Sequence, residues 1–177
     1  MKISVVIPCY NEEQNLEIPV TETIRYFKEN KIPGEVVIVD DGSFDNTRKV
    51  AEKLSVSNPE IKVISHKNNR GLGQACLTGF LNARGKWVTW VPGDGQLYPE
   101  DMINMCNSTN GVEFALGTVP FTKRIVNDNT WRFMLSKGWR FIIKTLLQFD
   151  VNDISMYAFR RRLLSNITLI SSTGLLN

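Results

Sequence analysis

The chain opens on a short apolar run in which the β-branched Ile3, Val5, Val6 and Ile7 predict a buried strand ended by Pro8. Leu16, Val20, Ile24 and Phe27 then recur at helical spacing and predict a helix. The alternation continues: EVVIVDDG predicts a strand with an acidic end and Thr47 to Leu54 a helix. KVISH is a strand, Leu72 to Ala83 a helix behind a Gly-rich turn, and Lys86 to Val91 a strand running into PGDGQ. Beyond Asp94 the pattern weakens into a short helix from Pro99, an apolar VEFALGTV segment, a polar loop from Thr122 to Asn129, and a long helix from Thr130 to about Phe149. No internal repeat or low-complexity tract interrupts it.

Apolar strands alternating with helices need crossover connections, so the expected fold is α/β, a doubly wound, mostly parallel sheet with helices on both faces. In such sheets ligands gather at the carboxyl ends of the strands. Here those ends are Pro8-Cys9-Tyr10-Asn11-Glu12, Asp40-Asp41-Gly42-Ser43 and Gly93-Asp94-Gly95-Gln96. The length of 177 residues suits one domain over 1–177. The final SSTGLLN carries no closing element, so the expectation is a domain lacking a C-terminal portion.

Charge narrows the partners. A net charge of +3 suits an anionic ligand or a membrane surface and falls short of a dedicated nucleic-acid binder, so no nucleic-acid partner is expected. Cys9, Cys76 and Cys106 form no CxxC pair and the chain has one His, which argues against a disulfide framework or zinc site and for a reducing, cytoplasmic setting. No run approaches the ~20 apolar residues of a membrane span, and Met1 leads straight into a strand without a charged leader.

The first strand is followed by PCYNEE, where a dehydrogenase would place GxGxxG, and no Walker A sequence is present. Glu12 and Glu13 would repel a pyrophosphate, so this loop suits a neutral base and ribose. A diphosphate would then need a positive partner, and the natural one is Mg2+ or Mn2+ at PGDGQ. There Asp94 and Gln96 offer two oxygen ligands, and Gly93 and Gly95 admit close backbone approach.

PCYNE, VVIVDDGSFDNT, NNRGLGQACLTGFLNARG and VPGDGQLYPED, in this order and spacing, resemble family 2 glycosyltransferases of GT-A fold, most of all the polyprenol- and dolichol-phosphate sugar transferases and their bacterial relatives. The resemblance implies a metal-dependent, inverting hexosyltransferase. It would move sugar from a UDP-, GDP- or dTDP-sugar to a polyprenyl phosphate or another lipid-linked or saccharide acceptor, at the inner face of the membrane. Carried over by position, Pro8, Tyr10, Asn11, Glu12, Asp40, Asp41 and Gly93 would form the nucleotide site, and Asp94 with Gln96 the metal site. The chain departs from the family's DxD motif at Pro92, which stands where an acid is usual.

On the long helix Arg132, Ser136, Arg140 and Lys144 follow at i, i+4 spacing. The resemblance implies phosphate contacts from Arg132 and Ser136, with Lys123 and Arg124 in a loop over the donor. A lipid-phosphate acceptor is already ionised and needs positioning more than a base. A sugar hydroxyl would need a carboxylate, and Asp153 is the candidate.

Ordinary structural roles compete at each position. Asp40, Asp41 and Ser43 could cap the following helix, and Glu12 and Glu13 could favour a helix N-terminus. His66 reads as a surface or strand-end residue without a triad partner. The basic stripe could be a solvated face, and a helix of that composition also permits peripheral membrane contact. At the level of function, Pro92 and the early end of the chain leave a non-catalytic nucleotide-sugar-binding or scaffold module as the alternative. A sugar nucleotidyltransferase would need a Gly- and Arg-rich phosphate loop in place of PCYNEE.

Overall fold

The computed structural model describes residues 3–95, 98–108, 111–118 and 154–166. Six strands form one sheet in the order β3-β2-β1-β4-β6-β5. The first four, β1 (Ile3–Cys9), β2 (Gly34–Asp40), β3 (Ile61–Ser65) and β4 (Trp87–Trp90), are mutually parallel. The helices α1 (Glu17–Glu29), α2 (Thr47–Ser57) and α3 (Leu72–Asn82) supply the crossovers between them. The doubly wound, mostly parallel sheet expected from the alternation is therefore the observed one.

Two cores explain the layering. On one face, Leu16, Val20, Ile24 and Phe27 of α1 and its approach, Ala51 of α2, and Met102, Ile103 and Cys106 of α4 (Pro99–Ser108) pack on Ile3, Val5, Ile7, Val36 and Ile38. On the other, Ala75, Cys76 and Phe80 of α3 cover Val6, Val37, Val39 and Val88. Alternate residues of each strand thus feed opposite cores, and burial of both strand faces is why they read as continuous apolar runs.

The last two strands are antiparallel additions. β6 (Ile154–Arg160) inserts between β4 and β5 (Phe114–Thr118), antiparallel to each, and leads into a 3₁₀ turn over Arg161–Asn166. VEFALGTV was expected to be an apolar segment and contains β5. The β6 segment, ISMYAFR, is a strand that the sequence pattern does not predict. Asp153 itself, like Gln96, Lys123, Arg124, Arg132, Ser136 and the helix expected from Thr130, lies outside the described residues. Among the described residues no helix is long and apolar enough to cross a membrane.

Candidate active site

Strand order reverses between β1 and β4: β2 and β3 build outward on one side of β1, and β4 lies on the other. Loops diverge at such a switch point and leave a crevice. A cleft of about 410 Å³ occupies it, lined by Pro8, Cys9, Tyr10 and Glu12 after β1, Asp41 after β2, Asn69, Leu72 and Ala75 at the start of α3, and Trp90, Pro92, Gly93 and Asp94 after β4. Three of these are carboxylates, and no lysine or arginine is among the described lining residues.

The first two loops are knitted into one surface. Asn11, in the left-handed region at φ 56°, receives a hydrogen bond at its side-chain oxygen from the Phe44 amide (3.1 Å), while its own amide donates to Ser43 Oγ (3.0 Å). The Glu12 amide donates to Thr47 Oγ1 at 2.7 Å. The Glu13 carboxylate accepts from the amide and the side chain of Asn46, each at 2.9 Å, so Glu13 supports the start of α2. Asp45 accepts from the Thr47 amide and hydroxyl; burial acts to raise its carboxyl pKa, but these bonds prevail and lower it. Tyr10 and Phe44, both exposed, meet edge to face at 6.1 Å on this surface.

Asp40 is buried and accepts from the Ser43 amide at 3.0 Å. It therefore shapes the turn, while Asp45 beside α2 takes the capping work that the sequence offered to Asp40, Asp41 and Ser43. Asp41 is also buried, and its two oxygens accept from the amides of Arg70 (3.0 Å) and Gly71 (2.8 Å) and from His66 Nδ1 (2.6 Å). His66 is thus not the surface residue expected. It follows β3 as foreseen, but its side chain is only 6% exposed, and its Nε2 lies 2.9 Å from Thr78 Oγ1. Sequence reasoning missed it because Asp41 and Thr78 come near it only through the β2–β3 pairing and the packing of α3.

Close approach governs the β4 side. A Cβ on Gly93 would lie 2.8 Å from Cys9 Cβ and 3.0 Å from the Pro8 carbonyl oxygen, so only glycine lets this loop lie against β1, and the Gly93 amide donates to Pro8 O. Trp90 Nε1 is buried with no partner among the described residues, leaving an unmet donor in the cleft wall. Burial pushes the Cys9 thiol pKa far up, and the negative charges of Asp40, Glu12, Asp45 and Asp41 push it further, so Cys9 is a packing residue and no nucleophile.

Among the described residues no group of three or more His, Cys, Asp or Glu side chains converges to hold a metal ion. Among the described residues the β4 end offers the cleft one carboxylate, Asp94. That fits a hard cation shared with a bound diphosphate, since Mg2+ is commonly held by one or two carboxylates plus substrate phosphates.

Fold and site together define an α/β protein with an acidic ligand cleft at the switch point of its sheet. Residues 4–167 match the family model described as glycosyl transferase family 2, and the chain belongs to that family. It is 33% identical over 130 residues to the dolichyl-phosphate beta-glucosyltransferase of Saccharomyces cerevisiae, covering 70% of this chain and 39% of that protein. It is 31% identical over 180 residues to the dolichol-phosphate mannosyltransferase of Pyrococcus furiosus, covering 96% and 49%. The chain thus spans half or less of the length of these curated relatives. In fold it is similar to a mannosyltransferase from Pyrobaculum calidifontis solved with GDP-Man and Mn2+ (TM-score 0.60, 22% identity, 93% of this chain and 46% of that one). It is likewise similar to glucosyl-3-phosphoglycerate synthase of Mycobacterium tuberculosis solved with Mn2+, UDP and glucosyl-3-phosphoglycerate (TM-score 0.62, 18% identity, 94% and 59%). These neighbours identify the sheet as GT-A.

Proposed function

We propose that this chain is the donor-binding catalytic domain of a metal-dependent, inverting glycosyltransferase that moves a hexose from a UDP-, GDP- or dTDP-sugar to a polyprenyl phosphate at the inner face of the membrane. The observation that carries the reading is the switch-point cleft, with Tyr10 on one wall, close-packed backbone at Gly93 on the other, and three carboxylates unaccompanied by lysine or arginine among its described lining residues. Such a cleft accepts a neutral base and ribose directly but repels a diphosphate unless a cation comes with it. The names of the dolichyl-phosphate relatives support the acceptor, and the nucleotides and Mn2+ bound by the fold neighbours support the donor and the metal.

In this reading Tyr10 and Glu12 line the base and ribose, Asp40 shapes the turn behind them, and Asp94, joined by Gln96, holds Mg2+ or Mn2+. The bound cation would act as a Lewis acid on the departing diphosphate. Lys123, Arg124, Arg132 and Ser136 are assigned to the phosphates of donor and acceptor. A phosphate acceptor arrives ionised, so the protein's task is to align its oxygen opposite the leaving group, and single displacement inverts the anomeric centre. Asp153 serves as base only if the acceptor is a sugar hydroxyl.

Calorimetric titration of UDP, GDP and dTDP with and without Mn2+ tests the donor half. One nucleotide is expected to bind, and only with the ion; binding of none overturns the reading. Pro92, which removes one motif acid, favours a second reading as a non-catalytic nucleotide-sugar-binding module. Metal-dependent sugar transfer to a polyprenyl phosphate, measured on the same preparation, excludes it.

A further inference from the structure

The chain's single histidine lies beside the cleft wall in a buried hydrogen-bonded network centred on Asp41. Asp41 accepts three bonds, from His66 Nδ1 and from the consecutive amides of Arg70 and Gly71, and its side chain is 4% exposed. A carboxylate only accepts, so Nδ1 carries a proton, while Nε2 hydrogen-bonds the Thr78 hydroxyl at 2.9 Å. Both ring nitrogens are engaged by protein side chains, Asp41 and Thr78, so neither is presented to a substrate.

What the network holds is the turn between β3 and α3. That turn supplies Asn69 and, at the first position of α3, Leu72 to the cleft. It packs backbone to backbone on the loop after β2, where a Cβ on Gly42, at φ 74°, would come within 2.5 Å of the Asn68 carbonyl carbon. The His66 amide also donates to Asp40 O at 2.9 Å, and the Asp41 amide to Cys9 O at 2.9 Å. Three segments that bound the cleft therefore meet at Asp41, its backbone amide on β1 and its carboxylate on residues 66–71, and the carboxylate is held in part by an imidazole that also bonds Thr78.

We propose that His66 is a positioning residue for the nucleotide donor: acting through Asp41, it fixes residues 68–71 and so completes the cleft wall. This rests on the donor-site reading, and the experiment separates the two. His66→Asn keeps a donor where Nδ1 stood, whereas His66→Gln places its amide where Nε2 stood and loses the bond to Asp41.

Two readings are taken on wild type, His66→Ala, His66→Asn and His66→Gln: amide hydrogen exchange by NMR without ligand, and titration with UDP, GDP and dTDP in Mn2+. Removing one partner of a buried charged acceptor costs on the order of a tenfold change in the equilibrium it supports. In His66→Ala and His66→Gln, exchange at Arg70 and Gly71 is expected to quicken about tenfold with β1 and β2 amides unchanged, and nucleotide affinity to fall about tenfold. In His66→Asn both return toward wild type. The proposal is overturned if Asn and Gln behave alike, or if wild type binds a nucleotide and His66→Ala binds it equally well. Wild type binding no nucleotide overturns the donor reading itself, and this assignment with it. Should His66→Ala fail to fold, the Asn and Gln pair still decides.

Discussion

Asp41 and Asp94 are both aspartates in loops that leave parallel strands, yet their surroundings give them different work. Asp41 is nearly sealed, and its oxygens are taken up by two amides and an imidazole, so it is spent on holding a loop in place. Asp94 is half-buried, lines the cleft between two glycines, and is assigned the cation. Asp94→Ala should therefore abolish the Mn2+-dependent part of nucleotide binding, a loss of at least about tenfold. Calorimetry with and without Mn2+ checks this, and an unchanged affinity in the presence of the ion moves the metal elsewhere. The contrast was half legible in the sequence. DDGS and PGDGQ stand out as motifs, but that Asp41 joins an internal network depends on His66, 25 residues further on, and no spacing rule connects them.

At the scale of elements, the cleft is only as well placed as β1, β2 and β4, and these are tied at the edge opposite the cleft by Glu35. This fully buried carboxylate accepts from Ser4 Oγ of β1 (2.6 Å) and from the amide (2.6 Å) and Nε (2.8 Å) of Arg84 in the α3–β4 turn, while Ser4 Oγ also accepts from the Gly85 amide. Burial acts to raise its pKa, but the bonds from Ser4 and Arg84 outweigh it and the net shift is downward. A carboxyl depressed in the folded state stabilises above its unfolded value, near 4.5, and that contribution is lost as pH falls through the lower folded value. Glu35→Gln should cost about 2 kcal/mol at pH 7, discounting the mostly exposed Arg84 side chain, and the gap to wild type should narrow below about pH 4.5. Urea unfolding at pH 7 and pH 3 measures both. A gap that does not change with pH would mean that the neutral acid holds the strands equally well. The parallel strands were legible because β1, β2 and most of β4 are buried on both faces and β3 carries Ile61, Val63 and Ile64, and the helices because their apolar residues recur at helical spacing. β6 was not, because its sequence ISMYAFR mixes polar, small and aromatic residues and its partners are fixed only when β4 and β5 are already in place. The sheet's second half was therefore hidden for lack of local signal, although its residues are ordinary.

At the scale of the whole sheet, the described residues form a parallel half that carries the cleft and an antiparallel half that β6 joins to it. β4 belongs to both: it pairs with β1 on one side and β6 on the other, and its C-terminal end leads to Gly93 and Asp94. The junction is continuous core. Val88 and Phe159 share a cluster, Thr89 Oγ1 donates to the Tyr157 carbonyl at 2.8 Å, and the Arg160 guanidinium sits 4.4 Å over the Trp87 ring. Ala158 is fully buried at its centre, opposite Thr89 on one side and Ala115 on the other. If the halves are one cooperative unit, Ala158→Asp, which places an unpaired carboxylate there, should lower stability by about 3 kcal/mol or more and shift a single transition. Urea unfolding followed by far-ultraviolet circular dichroism and by tryptophan fluorescence, to which Trp87 and Trp90 at the junction contribute, should then coincide. Separation of the two signals would instead mean that β5 and β6 detach while the parallel half stays folded. The cleft would then stand on β1 to β4 alone, and nucleotide affinity would survive the substitution.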